Sequence, residues 1–365
     1  MKSKKEIIFI QGSLYPYKIG GHEVFNFYLF KELAKSHNVK VLSHFKKPEI
    51  IQGKNYIKVP SIKPFSFFFT VFTFFKLFKR SNTKVILTFS KSHWINWWPY
   101  PILKKLVGLD YIIIIHGGGL TKWKWKFPFM QLFRNATQIV GISDRICNEY
   151  EKRTGIIIKK LLPLVPFEKF EGSTSSVRRK YNIEQNEFLF LIVGSIKGIK
   201  NPDTVVDAAI LLGKNYLSKH KLKFIFAGDG SMRTELEKAI VKAGIENHFL
   251  FLGNVNREFI PELYSISQGY IISSDFEGTP LSLVEAMNNR IPVIGSDSPG
   301  INNIIQDGVS GRLFERKNAK HLAEKIQLTL INESYLIDNA HKLMVEHFSH
   351  SKMLEEYLTI LERND

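Results

Sequence analysis

Cysteine is almost missing: Cys147 is the only one in 365 residues. A lone thiol excludes an internal disulfide and a cysteine-rich metal site, and points to a reducing, cytoplasmic setting. No Asp-x-Asp occurs, and no cluster of His and carboxylates has the spacing of metal ligands, so metal-independent chemistry is expected. Apolar runs long enough to cross a bilayer are lacking too. The best candidate, Phe65 to Phe78, would extend about 21 Å as a helix against a hydrocarbon core of roughly 30 Å. The opening MKSKKEIIFIQG is basic, but its apolar run is short, lacks the small residues of a cleavage site and leads into polar sequence. It reads as a first strand rather than a secretory signal.

Acidic residues are few beside basic ones, 34 against 51, which gives a formal net charge of +17. Such an excess predicts an anionic partner: nucleic acid, a phosphorylated metabolite or an anionic membrane surface. Lys and Arg are spread along the whole chain, and no nucleic-acid recognition motif is present, which argues against the first of these.

Apolar residues make up 44% of the chain, enough for the cores of two or three domains. Short apolar runs suited to buried strands, EIIFIQG, NVKVLSHF, KVILTFS, YIIIIHGGG and TQIVGIS, are separated by longer segments with helical spacing such as EVFNFYLFKELAKS. The alternation restarts at Phe188, with FLFLIVG, KFIFAGDG, HFLFLGNV, GYIISSDF, IPVIGSDS and GRLF as strands. PDTVVDAAILLGKN, SMRTELEKAIVKAG and LSLVEAMNN are the helices between them. This pattern predicts an α/β chain of two doubly wound halves, whose ligand sits at the carboxyl ends of the strands in a cleft between the halves. LLPLVPFEKFEGSTSSVRRK, without sustained period and rich in Pro, Ser and charge, is the expected linker. The domain limits are then 1–170 and 171–344, with the C-terminal helix 345–365 packing back on the first half.

FEGTPLSLVEAM follows the strand GYIISSD. Glu277 and Gly278 fall in the turn at its carboxyl end, Thr279 suits a helix N-cap and Pro280 a first helical residue. Leu281 and Ser282 would then offer first-turn amides at the positive end of a helix dipole, a setting for phosphate. Glu285 lies almost two turns further on. Carboxylates accept from vicinal hydroxyls, so Glu285 at a ribose, the amides at a diphosphate and Glu277 at a sugar would span a nucleotide sugar in order.

With RIPVIGSDSPGINNIIQDGVSGRLF behind it, this stretch resembles the donor-binding half of the retaining glycosyltransferases of family 4, which have the GT-B fold of two Rossmann-like domains facing across a cleft. The family pattern of Glu, seven residues, Glu, then a Gly-rich turn and a DG..G.L segment is matched by Glu277, Glu285, Asp307, Gly308, Gly311 and Leu313. IVGSIKGIKNPDTVVDAA is similar to the family's first strand and phosphate loop, which implies a diphosphate-pairing role for Lys200. The family commonly has Arg where Ser195 stands; Lys197 is a second candidate cation. AGDGSMRTEL, with Gly228, Asp229 and Gly230, and LFLGNV, with Gly253, Asn254 and Val255, resemble further donor-side turns, the latter beside the base. Gly20 and Gly21 match the N-terminal Gly-Gly loop, which approaches the diphosphate from the opposite wall, and His116 matches a histidine beside the donor sugar. The segment around Ser143 is expected to serve packing.

The resemblance implies transfer from a nucleotide diphosphate sugar, a UDP-sugar foremost, to a glycan or lipid-linked acceptor in surface polysaccharide synthesis. His116, Lys200 and Glu277 are the expected catalytic residues, with no cofactor and no metal. A phosphorylase or another nucleotide-sugar enzyme of the same fold is the nearest alternative, and a basic nucleic-acid-binding protein a more distant one. KPFSFFFTVFTFFKLFKR, with Lys76, Lys79 and Arg80, is either a buried helix or a peripheral contact with the anionic inner face of the cell membrane.

Overall fold

The computed structural model describes residues 6–10, 21–43, 56–58, 75, 77, 83–89, 99–116, 127–162, 164, 169–331 and 334–362. The chain divides into two compact units, Met1–Val165 with His350–Asp365, and Pro166–Ser349.

The first unit contains β1 (Glu6–Ile10), α1 (Gly21–Leu33), β2 (Val39–Ser43), β3 (Tyr56–Lys58), β4 (Thr83–Phe89), α2 (Pro99–Val107), β5 (Asp110–Ile115), α3 (Phe127–Arg134), β6 (Gln138–Gly141), α4 (Asp144–Thr154) and β7 (Lys159–Lys160). Its parallel sheet has the order β3-β2-β1-β4-β5-β6-β7. The central strands are near-continuous apolar runs because both faces are covered: from Tyr111 to Ile115 every residue of β5 is buried. Each such isoleucine contributes about 1.5–3 kcal/mol of burial. The short edge strands β3 and β7 carry no legible period and were not expected.

The second unit contains α5 (Thr174–Lys180), β8 (Phe188–Val193), a 3-10 turn (Gly198–Lys200), α6 (Pro202–Leu212), α7 (Lys214–Lys219), β9 (Leu222–Ala227), α8 (Arg233–Lys242), β10 (Phe249–Gly253), α9 (Ile260–Ile266), β11 (Gly269–Ile272), α10 (Leu281–Asn288), β12 (Val293–Ser296), β13 (Arg312–Phe314), α11 (Ala319–Thr329) and α12 (Ser334–Phe348). The parallel order is β10-β9-β8-β11-β12-β13. Register places Phe190 opposite Phe224 and Phe224 opposite Phe249, and their rings stack at centroid distances of 5.6 and 5.1 Å. In-register aromatic pairs of this kind strengthen a sheet beyond the area they bury.

Two expectations need correction. The stretch 161–180 is not linker throughout, since its end forms α5. The Ser173 hydroxyl caps that helix by accepting from the Ser176 amide at 3.4 Å. Buried Arg178 then ties it to the segment before β8 and to the end of α9, donating to the carbonyls of Glu184, Glu187 and Ile266 at 2.7, 3.1 and 3.0 Å. The C-terminal segment is likewise not one helix from Phe348. The chain breaks at Ser349, between α12 and α13 (His350–Glu362).

The last helix, α13, belongs to the first unit and packs on α1. Its Tyr357 ring lies 5.7 Å from Phe25, and its hydroxyl donates to Leu162 O at 3.2 Å. Lys84, 1% exposed near the start of β4, donates to the last-turn carbonyl of Leu361 at 2.8 Å and lies 3.1 Å from Asp110 Oδ2. A buried ammonium needs such partners, and a helix C-terminus needs such a donor.

Candidate active site

In both sheets the strand order reverses beside the first strand, so the loops after β8 and β11 meet at a topological switch point. The first loop begins at Gly194, whose amide donates to Ala227 O at 3.1 Å, while Ile196 donates to Asp229 O at 3.0 Å. A Cβ on Gly228 would lie 1.9 Å from Gly194 O, and one on Gly230 2.2 Å from Ile196 O. These two glycines are therefore required by a backbone-to-backbone contact. Ser195 is half-buried in this loop and Lys197 is exposed.

The 3-10 turn ends on Lys200, and buried Asn201 fixes it to the end of β11. The Asn201 amide donates to Ser273 O at 3.2 Å and to Asp275 Oδ1 at 2.7 Å, the Ser273 hydroxyl donates to Lys200 O at 2.7 Å, and the Asp275 amide donates to Ile199 O at 2.9 Å. Burial pushes the Asp275 carboxyl up, but the Asn201 amide and the Lys317 ammonium outweigh it and hold the group below its ordinary range.

With its backbone held in this way, Lys200 brings its ammonium 2.5 Å from Glu277 Oε1. The Ser274 hydroxyl donates to the same oxygen at 2.6 Å. Oε2 of Glu277 carries no hydrogen bond among the described residues. Behind the carboxylate, Ser274 O accepts from the buried hydroxyls of Ser296 and Ser298 at 2.6 and 2.8 Å, and the Glu277 amide donates to Pro299 O at 3.0 Å. Gly300, at φ 93°, approaches so closely that a Cβ would lie 2.1 Å from Glu277 O. The turn that presents Glu277 is thus braced from two sides.

The helix after this turn starts later than expected. α10 begins at Leu281, with Pro280 rather than Thr279 in the cap position and no side-chain cap. Pro280 at ψ 85° is outside the helical region, yet its carbonyl accepts from Leu283 and Val284 at 3.0 and 3.2 Å. Leu281 and Ser282 remain first-turn donors. Gly278 and Thr279 lie half-buried in the turn, and no added Cβ at Gly278 would meet an atom within 4 Å.

Glu285, 4% exposed, faces a different set of partners. Arg257 grips it as a fork, Nη1 donating to Oε2 at 2.9 Å and Nη2 to Oε1, and the Tyr264 hydroxyl donates to Oε2 at 3.1 Å. Tyr264 also lies 2.9 Å from Ser282 O, while the Tyr270 hydroxyl donates to Ser282 Oγ at 2.7 Å. Burial pushes both phenols well above their ordinary value, so they stay protonated donors. Sequence reasoning missed Arg257 and Tyr264; only GNVNREF, just past the base-side turn, hinted at the first. In that turn Gly253 has φ 68°, Asn254 is exposed and Val255 half-buried. Asp307 and Gly308 make a turn: Asp307 Oδ1 accepts from the Leu313 amide at 2.7 Å, and Gly308 has φ 71°.

In the first unit His116 follows β5, its ring tilted 4.8 Å from that of Phe25. Gly21 opens α1, and Gly20 lies outside the described residues. The Ser143 hydroxyl caps α4 by accepting from Ile146 at 3.4 Å. Buried Cys147 has its thiol pushed up to about 11, first by burial and then by Glu151 and Asp144. The stretch Lys63 to Arg80 lies outside the described residues except Phe75 and Leu77. Among the described residues no helix is long and apolar enough to cross a membrane, and no group of three or more His, Cys, Asp or Glu is placed to hold a metal ion.

Residues 173–345 match the family model of the glycosyl transferases group 1. This segment is a group 1 glycosyltransferase domain. The chain is similar to α-D-kanosaminyltransferase of Streptomyces kanamyceticus, 22% identical over 256 residues, 64% of each chain. It therefore spans less than two thirds of that relative. It is 28% identical over 362 residues to GalNAc-alpha-(1->4)-GalNAc-alpha-(1->3)-diNAcBac-PP-undecaprenol alpha-1,4-N-acetyl-D-galactosaminyltransferase of Campylobacter jejuni, covering 94% of this chain and 95% of that one. Anabaena HepE, solved in complex with UDP, superposes with a TM-score of 0.75 at 15% identity over 98% of this chain and 99% of its own. That likeness is one of fold: the chain has the two Rossmann-like units of GT-B.

Proposed function

We propose that the chain is a retaining, metal-independent glycosyltransferase that moves a sugar from a nucleotide diphosphate donor, a UDP-sugar foremost, to a glycan or lipid-linked acceptor. The observation that carries this reading is the meeting of Lys200, Glu277 and the amide end of α10 at one switch point, with Glu285 further along the same helix. Lys200 and the amides of Leu281 and Ser282 would stabilise the charge that develops on the departing diphosphate. Oε2 of Glu277 would accept from a donor-sugar hydroxyl, His116 would hydrogen-bond another, and Glu285 would accept from the ribose. The bond from the anomeric carbon to the diphosphate oxygen breaks as the acceptor oxygen bonds to that carbon from the same face. The acceptor proton passes to the donor phosphate. A lipid-linked acceptor in surface polysaccharide synthesis is favoured by the undecaprenol diphosphate in the name of the Campylobacter relative. The basic flanks of the Phe-rich segment suit an anionic inner-leaflet surface.

A panel of UDP-, GDP- and ADP-sugars in a thermal-shift assay, followed by measurement of nucleoside diphosphate release with and without EDTA, tests the reading. A stabilising donor whose turnover survives EDTA is expected. No stabilisation and no release by any donor overturns it, and turnover that requires inorganic phosphate replaces it with a phosphorylase.

A further inference from the structure

We propose that Arg257 is a positioning residue that leaves Glu285 able to accept from one ribose hydroxyl rather than two. The proposal rests on Glu285 being the ribose carboxylate. A carboxylate offers about four lone-pair sites, two on each oxygen. On Glu285, Oε2 receives Arg257 Nη1 at 2.9 Å and the Tyr264 hydroxyl at 3.1 Å, while Oε1 receives Arg257 Nη2. One site remains, on Oε1.

None of the three occupants is easily displaced. Tyr264 is buried, its hydroxyl also lies 2.9 Å from Ser282 O, and wherever its proton points its oxygen fills the space beside Oε2. Arg257 supplies the positive charge that a carboxylate 4% exposed requires. A neutral hydroxyl is a poor exchange for that fork, because a buried charge stripped of its partner is strongly destabilising. A vicinal diol therefore meets a carboxylate with room for one of its two donors. The second hydroxyl has to find its partner elsewhere.

Calorimetric titration with UDP, 2′-deoxy-UDP and 3′-deoxy-UDP reads this directly. For the unaltered protein one deoxy analogue should bind roughly ten- to a hundredfold more weakly than UDP, the cost of a charged hydrogen bond, and the other within about threefold. Arg257→Lys keeps the charge but replaces a two-pronged fork with a point donor, which frees a second site. In that variant the analogue that was spared should lose about tenfold as well. Equal losses for both analogues in the unaltered protein, or an unchanged pattern in Arg257→Lys, overturn the proposal while leaving the glycosyltransferase reading intact. Loss with neither analogue, although UDP binds, removes Glu285 from the ribose and the proposal with it. No binding of UDP at all counts against both the UDP-sugar reading and the proposal.

Discussion

Lys200 and Glu277, 77 residues apart in sequence, form an ion pair in which the ammonium lies 2.5 Å from Oε1. Two groups assigned to different parts of one donor thus hold each other in place. The pair leaves Oε2 of the glutamate without a hydrogen bond among the described residues, and under the proposed function that atom accepts from the donor-sugar hydroxyl.

Removing the lysine should cost both positioning and charge. Lys200→Ala is expected to lower the transfer rate by about a hundredfold or more, the scale seen when one stabilising donor is lost from a developing anion. Ser195→Arg, which restores the cation common at that position, should retain activity and tighten product inhibition by the nucleoside diphosphate. Steady-state rates and inhibition constants for the two variants check both. Near-normal turnover by Lys200→Ala would remove the lysine from the chemistry.

The two glutamates should fail differently. Glu285→Ala is expected to weaken nucleoside diphosphate binding roughly ten- to a hundredfold and also to lower the melting temperature, since it strands Arg257, largely buried and shorn of its carboxylate. Glu277→Ala should spare nucleotide affinity within about threefold and reduce transfer. Calorimetry paired with turnover separates the cases, and equal nucleotide affinities in both variants would refute the division of labour.

Gly300 has no room for a side chain. A Cβ there would lie 2.1 Å from the Glu277 carbonyl oxygen, and φ 93° is a conformation that side chains resist. Gly300→Ala should therefore displace the Glu277 turn, reduce transfer and destabilise by about 1–3 kcal/mol, a drop of several degrees in Tm. Gly198→Ala, with nothing within 4 Å of the added atom, is the control and should melt within about a degree of the unaltered protein. Matching melting curves for the two variants would contradict the bracing role.

The only cysteine should be inert. With its thiol pushed up to about 11 by burial, Cys147 stays protonated at pH 8, so alkylation should be slow in the native protein and fast in urea. The sign of the linkage follows from the raised value. Its contribution to stability is complete below the unfolded thiol pKa and drains away as pH rises from about 9 toward 11. Urea midpoints should fall less between pH 8 and pH 10 for Cys147→Ala than for the unaltered protein.

The strands were legible because a parallel strand covered on both faces must be apolar at every position, as in YIIII of β5. The Glu277 turn was legible because the apolar run GYIISSD ends just before it and a segment of helical spacing, LSLVEAM, begins just after it. What escaped was whatever depends on distant partners. Arg257 reaches Glu285 across 28 residues with no local period to announce it, and Tyr264 reads as ordinary core. The later start of α10 escaped for a related reason. Thr279 has the chemistry of a cap, but Pro280 adopts ψ 85° and takes the cap position itself.

The seat of α13 on Lys84 has a bearing on how the molecule is made. The second unit is one uninterrupted stretch, Pro166–Ser349, whereas the first requires a helix encoded after it. A ribosome releases the N-terminal sheet long before the carbonyl of Leu361 exists to receive the Lys84 ammonium. Domains usually mature in the order of their synthesis. Here the half that emerges first should be the one completed last, its Lys84 paired with Asp110 but lacking the carbonyl of Leu361 until translation is nearly over. Nascent chains stalled with residue 349 just outside the exit tunnel should yield a protease-resistant 166–349 fragment and a sensitive N-terminal half. Resistance of both halves at that length would show that the final helix joins a structure already closed.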